Sequence, residues 1–315
     1  MLPDLIKASL RSPSHPTGGA PGHAAHLDLS RPVDNLYAFA KMWSTLADEP
    51  ILSSFHGVMF AYIEGRKTVP LFGYAGTGLF QSKILDNGHV RLRGKETGFF
   101  TDLVSGDILD HWENPFTGET VPVFNFLNDR IRGELTTEMP RFDFGADDDE
   151  PTLMNAAGSA NNPETVPFVL PWEIFNDRVH LAWDYCHGYT NPVTSDVWPR
   201  ASTHEFINPS EHFYFTTSLG ELSDRSLPSA RYTAGFTRIS PWWPWMLMGN
   251  SGINGALFGR MMSVKAEGKA DDVPKAVYDY VCKHHPDFLE SPNDWDDGHP
   301  IGTWEAYARE VPPEA

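Results

Sequence analysis

From Ser54 to Val264 the chain is built of short apolar or alternating runs separated by Gly, Pro and Asn-Gly, and this pattern constrains the fold more than anything else in it. SFHGVMFAYIEG, VPLFGYAG, LFQSKIL, HVRLRG, ETGFFTDL and DILDHWEN come first; VPVFNFLND, RIRGELT, RVHLAWDYC, EHFYFTTSL, ARYTAGFTRI and FGRMMSVKAEG follow. Period-two runs bounded by turn residues read as strands. About a dozen of them in one chain make an antiparallel meander that must curl or close. Glycines within the runs, as in GYAGTG, are read as turns.

Helices are expected only at the ends. Leu36, Phe39, Ala40 and Trp43 recur at helical spacing after Pro32, which predicts a helix from about Pro32 to Leu46. Val277, Tyr280, Val281 and His284 share one face of a helix starting near Pro274, and a short helix follows near Trp304 to Arg309. The expected class is therefore mainly β (α+β): a large antiparallel, curled sheet or β-barrel with an N-terminal helix and one or two C-terminal helices. Residues 1–29, rich in Pro, Gly, Ser and His, read as a flexible arm, and no linker divides residues 30–315, which read as a single β-rich domain. The stretch Asp143 to Pro163 reads as a surface loop or a lid.

Charge limits the partners. The 24 Lys and Arg face 42 Asp and Glu, a net charge of -18 that repels nucleic-acid phosphates and anionic lipid alike. No run approaches the about 20 apolar residues that span a bilayer. The first residues, MLPDLIKASLRSPSHPTGG, contain no continuous apolar signal region, so a cytoplasmic location is expected. Cys186 and Cys282 are too few for a disulfide framework and lack zinc-site spacing. No βαβ unit follows GYAGTG, so no dinucleotide fingerprint or P-loop is read, and no cofactor is expected.

Two words carry chemistry. DHWENPFTGE places His111, Trp112 and Asn114 around a turn, with Asn128 ending the next strand. ISPWWPWMLMG packs Trp242, Trp243, Trp245 and Met246 among prolines that stiffen the path, which predicts an ordered loop of aromatic rings. Such rings suit the wall of a cavity for a flat apolar ligand, the closed end of a barrel, or a homo-oligomer interface. These words, with the SGDIL turn before the first and the acidic residue of HEF before a phenylalanine-rich strand, resemble the pattern of the family catalogued as domain of unknown function 1838. The resemblance runs from the helix near Pro32 to the C-terminus. It implies no established catalytic role for any residue.

Titratable residues complete the expectation. Alternation puts His180 and Asp184 on one strand face near Tyr185 and His187, while His204, Glu205, Glu211 and His212 form a second group. If both groups face a barrel mouth, they supply acid/base chemistry: Glu205 and Asp184 as acid or base, His187 and His111 as proton partners, Tyr185 or Arg238 as the stabiliser of an oxyanion. Trp112, Asn128, Trp183, Trp242, Trp243, Trp245 and Met246 would hold the ligand. The expected activity is that of a cofactor-independent lyase, isomerase or cyclase acting on an oxygenated hydrophobic small molecule. The alternative is a non-catalytic carrier with a calycin-like cavity. A divalent metal on His180, His187, His204 and Glu205 is the minority reading, since no HExxH-like spacing supports it.

Overall fold

The computed structural model describes residues 27–138, 140–142, 167–186, 188–266, 272–291, 295 and 302–313. The expected N-terminal arm lies almost wholly, and the Asp143 to Pro163 loop wholly, outside them. Helix α1 spans Pro32–Trp43, with proline in its first turn, and ends earlier than its spacing suggested. Its last carbonyls explain the stop. Lys265 enters from the opposite wall and donates to the carbonyls of Lys41 (3.1 Å) and Ser44 (2.7 Å), satisfying acceptors that a helix end leaves open.

Ten strands form one antiparallel sheet: β1 Ile51–Ile63, β2 Val69–Ile84, β3 Val90–Thr101, β6 Phe126–Leu135, β7 Pro140–Phe142, β8 Trp172–Phe175, β9 Arg178–Cys186, β12 Ser210–Ser218, β13 Tyr232–Ser240 and β14 Gly255–Ala266. Two ribbons stand apart from it, β4 His111–Glu113 with β5 Thr120–Pro122, and β10 Tyr189–Thr190 with β11 Phe206–Ile207. The spatial order is β7-β6-β3-β2-β1-β14-β13-β12-β9-β8, so the sheet is curled and not a closed barrel. Two meanders are sewn together at its centre, where β1 pairs with β14 from Leu52↔Ala266 to Ile63↔Gly255.

The curl follows from the packing of α1. Phe39 of this one helix touches Trp183 on β9 and Phe215 on β12 (5.1 and 6.3 Å between rings), while Trp43 touches Phe80 on β2 at 5.4 Å. Strands far apart in the order therefore meet around a single helix. α1 plugs one end of the concave face. The Trp loop, the β4–β5 ribbon and helix α4 (Thr303–Glu310) plug the other, around Phe72, Phe100, Trp112, Trp245 and Trp304. Outside, helix α3 (Lys275–His284) lays Val277 and Val281 on Ala75, Phe99 and Ala266. A short helix α2 (Leu219–Ser223) follows β12.

The glycine-rich runs are not turns. GYAGTG lies inside β2, and HVRLRG and ETGFF are one continuous strand, β3. The reason is close cover: a Cβ added at Gly76 would lie 1.8 Å from the Thr97 carbonyl oxygen and 2.5 Å from the Phe55 ring, and one at Gly98 only 2.1 Å from the Tyr74 hydroxyl. At these two positions glycine leaves the room that a side chain would fill.

Candidate functional site

Between the two plugs the concave face carries a middle layer of side chains set by strand alternation. Register places Phe55 opposite Gly76 and Ser263, Glu96 opposite Gly78, Glu211 opposite Arg238, and Phe213 opposite Phe236. On the same face, the residues toward either plug are buried, among them Phe80, Phe215, Met59 and Met261. Phe55, Glu96, Glu211, Phe213, Phe236, Arg238 and Ser263 instead keep partial exposure. Interior side chains that still touch solvent line a hollow. Its walls are aromatic, with Phe213 stacked on Phe236 at 4.4 Å and 6°, and Phe55 tilted against Tyr74 at 5.4 Å.

One side of this hollow is charged. Arg238 Nη1 lies 2.7 Å from Glu211 Oε1, with side chains only 19% and 14% exposed. Glu96 stands nearby on β3 with no hydrogen-bond or ion-pair partner among the described residues. Burial raises its carboxyl to about 7; the negative charge of Glu211 pushes the same way, and Arg238 pulls back. Burial also raises Glu211, against the opposing pull of Arg238. The phenols of Tyr74 and Tyr189 are held above their ordinary range, first by burial. At neutral pH this is a carboxyl near half-protonation beside a fixed ion pair, a disposition suited to giving and taking protons.

The two sequence words meet at the plug. Asn114, fully buried, donates from Nδ2 to the Met246 carbonyl at 2.9 Å and accepts from the Phe116 N–H at 2.9 Å. It thereby pins the Pro244–Met246 turn just before Leu247, which sits in the left-handed region at φ 53°. The pinned loop delivers Trp243 to the hollow: its ring lies 5.7 Å from Arg238 Cζ and packs on Tyr74 at 5.5 Å and Phe100 at 4.7 Å.

Of the residues singled out from sequence, Arg238 is in the charged group and Trp243 borders it. Trp112, Trp242, Trp245 and Met246 are buried in the plug, so the Trp loop is not an exterior patch. Trp183 belongs to the α1 core and meets the hollow through its stack on Phe213, at 5.4 Å. The backbones of Asn128 and Tyr185 stand opposite Glu96 and Glu211, but their side chains, and His187 entirely, lie outside the described residues.

Among the described side chains, Glu211 is the member of the two polar groups that faces the hollow, and His180, Asp184, His204, Glu205 and His212 do not join it there, which corrects the expected arrangement. Because Glu211 and Phe213 face inward, alternation turns His212, and Asp184 opposite it, to the outer face. His180 is there too, 3.0 Å from Thr216 Oγ1. Glu205 and His204 are exposed ahead of β11, and His111 is exposed at the start of β4. On that outer face Ser210 Oγ, His212 Nε2, His212 Nδ1 and Asp184 Oδ1 form a line of two 2.8 Å contacts, a hydroxyl–imidazole–carboxylate relay. β12 is paired on both sides along this stretch, so its ladders take up the backbone N–H groups an acyl-transfer site needs for an oxyanion.

Glu96 and Tyr74 went unread in the sequence, although a signal was there. Val90, Leu92, Gly94, Glu96, Gly98 and Phe100 alternate as one inward face, and a lone charge on such a face asks for a reason. Among the described residues no three His, Cys, Asp or Glu side chains are grouped to hold a metal, and no helix is long and apolar enough to cross a membrane.

Comparison with known proteins fixes the relationship but not the chemistry. The pattern of the family described as "Protein of unknown function (DUF1838)" matches residues 48–311. The chain belongs to the DUF1838 family. Its match spans every strand of the sheet and the Trp loop, while helix α1 lies before it, so the residues that line the hollow all belong to the family domain. Among curated proteins none matches the sequence. Of solved structures, Rv2717c from M. tuberculosis is similar at 9% identity over 67% of this chain and 91% of that one, with a TM-score of 0.21. A mutant porin of Rh. blastica is similar at 9% identity over 69% of this chain and 100% of that one, with a TM-score of 0.20. Likenesses this slight carry no argument.

Proposed function

We propose that this DUF1838 domain is an enzyme of the lyase, isomerase or cyclase type that moves a proton on an oxygenated hydrophobic small molecule held in the hollow. The observation that carries the reading is Glu96, a carboxyl without a partner among the described residues, raised to about 7 beside the Glu211–Arg238 pair in an aromatic enclosure. A general acid or base works best with a pKa near the working pH. Glu211 holds Arg238 in place, and the Phe213–Phe236 stack with Phe55 and Tyr74 supplies apolar contact for the rest of the ligand. The proton is thus carried by the protein's own side chain. This replaces Glu205 and Asp184 with Glu96 as the proposed acid or base, because the first two stand outside the hollow.

Glu96→Gln tests the reading, since it keeps size and removes the titrating proton. With phenolic, steroid and polyketide mixtures, mass spectra before and after incubation should show a compound consumed by the wild type and untouched by Glu96→Gln. The same compound should still change Trp fluorescence in both proteins. Equal turnover by Glu96→Gln would remove Glu96 from the chemistry; binding without turnover in either protein would make the domain a carrier.

A further inference from the structure

We propose that Arg238 and Trp243 together receive one oxygen atom of a planar carbonyl compound, so that the substrates of the hollow are flat, enolisable ketones. This rests on the acid/base reading above and adds to it the groups that take up the developing charge. Arg238 is engaged on one side: Nη1 holds Glu211 at 2.7 Å, while Nε is buried and has no hydrogen-bond partner among the described residues. Trp243 is 2% exposed, and its indole Nε1 likewise has no partner. Its ring lies 5.7 Å from Arg238 Cζ.

A buried donor without an acceptor costs about 1–3 kcal/mol, and two neighbours in that state call for a common acceptor. Trp242 and Trp245 also carry unpartnered N–H groups, but their rings pack among Phe116 and among Phe72, Phe100 and Trp112, away from the charged group. Of the three indoles, Trp243 is the one whose ring lies beside Arg238. The acceptor must be an oxygen that gains negative charge during proton transfer, since that is where a cationic and a neutral donor act most strongly. Flatness follows from the walls, because the Trp183–Phe213–Phe236 stack ends in the partly exposed ring of Phe236.

The step balances within these groups. The Glu96 carboxylate takes the proton from the carbon next to the carbonyl. The C–H electron pair becomes the C=C bond, and the carbonyl π pair moves onto oxygen, where the Arg238 Nε–H and Trp243 Nε1–H donate to it. Return of the proton from Glu96 to the same or a conjugated carbon completes exchange or isomerisation.

The test uses 2-tetralone and tetralin, which differ by the carbonyl. Binding is followed by Trp fluorescence, and exchange of the 2-tetralone α-protons in D2O by proton NMR. Wild type should bind 2-tetralone at least about tenfold more tightly than tetralin, because a site with buried donors rejects the analogue lacking an acceptor. Trp243→Phe keeps the ring and Arg238→Lys keeps a cation for Glu211; each should lose most of that preference and slow exchange at least about tenfold. Glu96→Gln should keep the preference and abolish exchange. No preference in wild type, or an unchanged one in both donor variants, overturns the receptor while leaving the role of Glu96 standing. Wild-type exchange rates in Glu96→Gln would instead overturn the acid/base reading.

Discussion

On the proposed reading, the role of Glu96 comes at a cost in stability. Its carboxyl is raised from the ordinary 4.5 to about 7, so between those pH values the folded protein binds a proton that the unfolded chain has released. Stability must then fall as pH rises through this window, the reverse of what a salt-bridged carboxylate gives. The difference amounts to up to about 3 kcal/mol above pH 7, at about 1.36 kcal/mol for each pH unit. Glu96→Gln should therefore be more stable than wild type at pH 8 and close to it at pH 4.5, as read from urea unfolding at the two values. A variant that is less stable at pH 8 would mean that the carboxylate has a partner in the fold. Glu211, raised by the same burial, is held by Arg238 at 2.7 Å, and that pairing separates the fixed charge from the mobile proton.

At the scale of elements, β2 and β3 show why a sheet can be read from sequence while its interior layer cannot. Alternation of apolar residues disclosed nearly every strand of the main sheet, and Pro32 and Pro274 marked the starts of α1 and α3. The glycines misled, since glycine is a turn residue as well as one that makes room under a neighbouring side chain, and the rings near Gly76 and Gly98 come from neighbouring residues across the sheet. Such cover depends on register, which a single strand does not disclose. Gly98→Ala should cost about 1–3 kcal/mol, because its Cβ would force Tyr74 off the sheet and into the hollow. Gly235→Ala, whose Cβ meets nothing within 4 Å, should stay within about 0.5 kcal/mol of wild type. Thermal melts of the two variants check the pair; equal destabilisation would refute the account of the covered glycines.

For the whole molecule, the curl decides which chemistry is inside. The same β12 segment presents Glu211 and Phe213 to the hollow and His212 to the outer face, so adjacent residues in the sequence belong to opposite surfaces. Sequence reasoning gathered them into one group, and only the register with β9 and β13 separates them. The Trp loop was legible as an ordered aromatic element. What could not be read is that Asn114, from the other sequence word, holds it at the Met246 carbonyl, 132 residues away, and so sets Trp243 beside Arg238. The account as a whole stands on one charge state. NMR titration of the glutamate side-chain carboxyl carbons, assigned by comparing wild type with Glu96→Gln, measures it directly. The account predicts a Glu96 resonance that titrates near the value of about 7 and disappears in the variant. A Glu96 carboxyl that titrates near its ordinary 4.5 would contradict it.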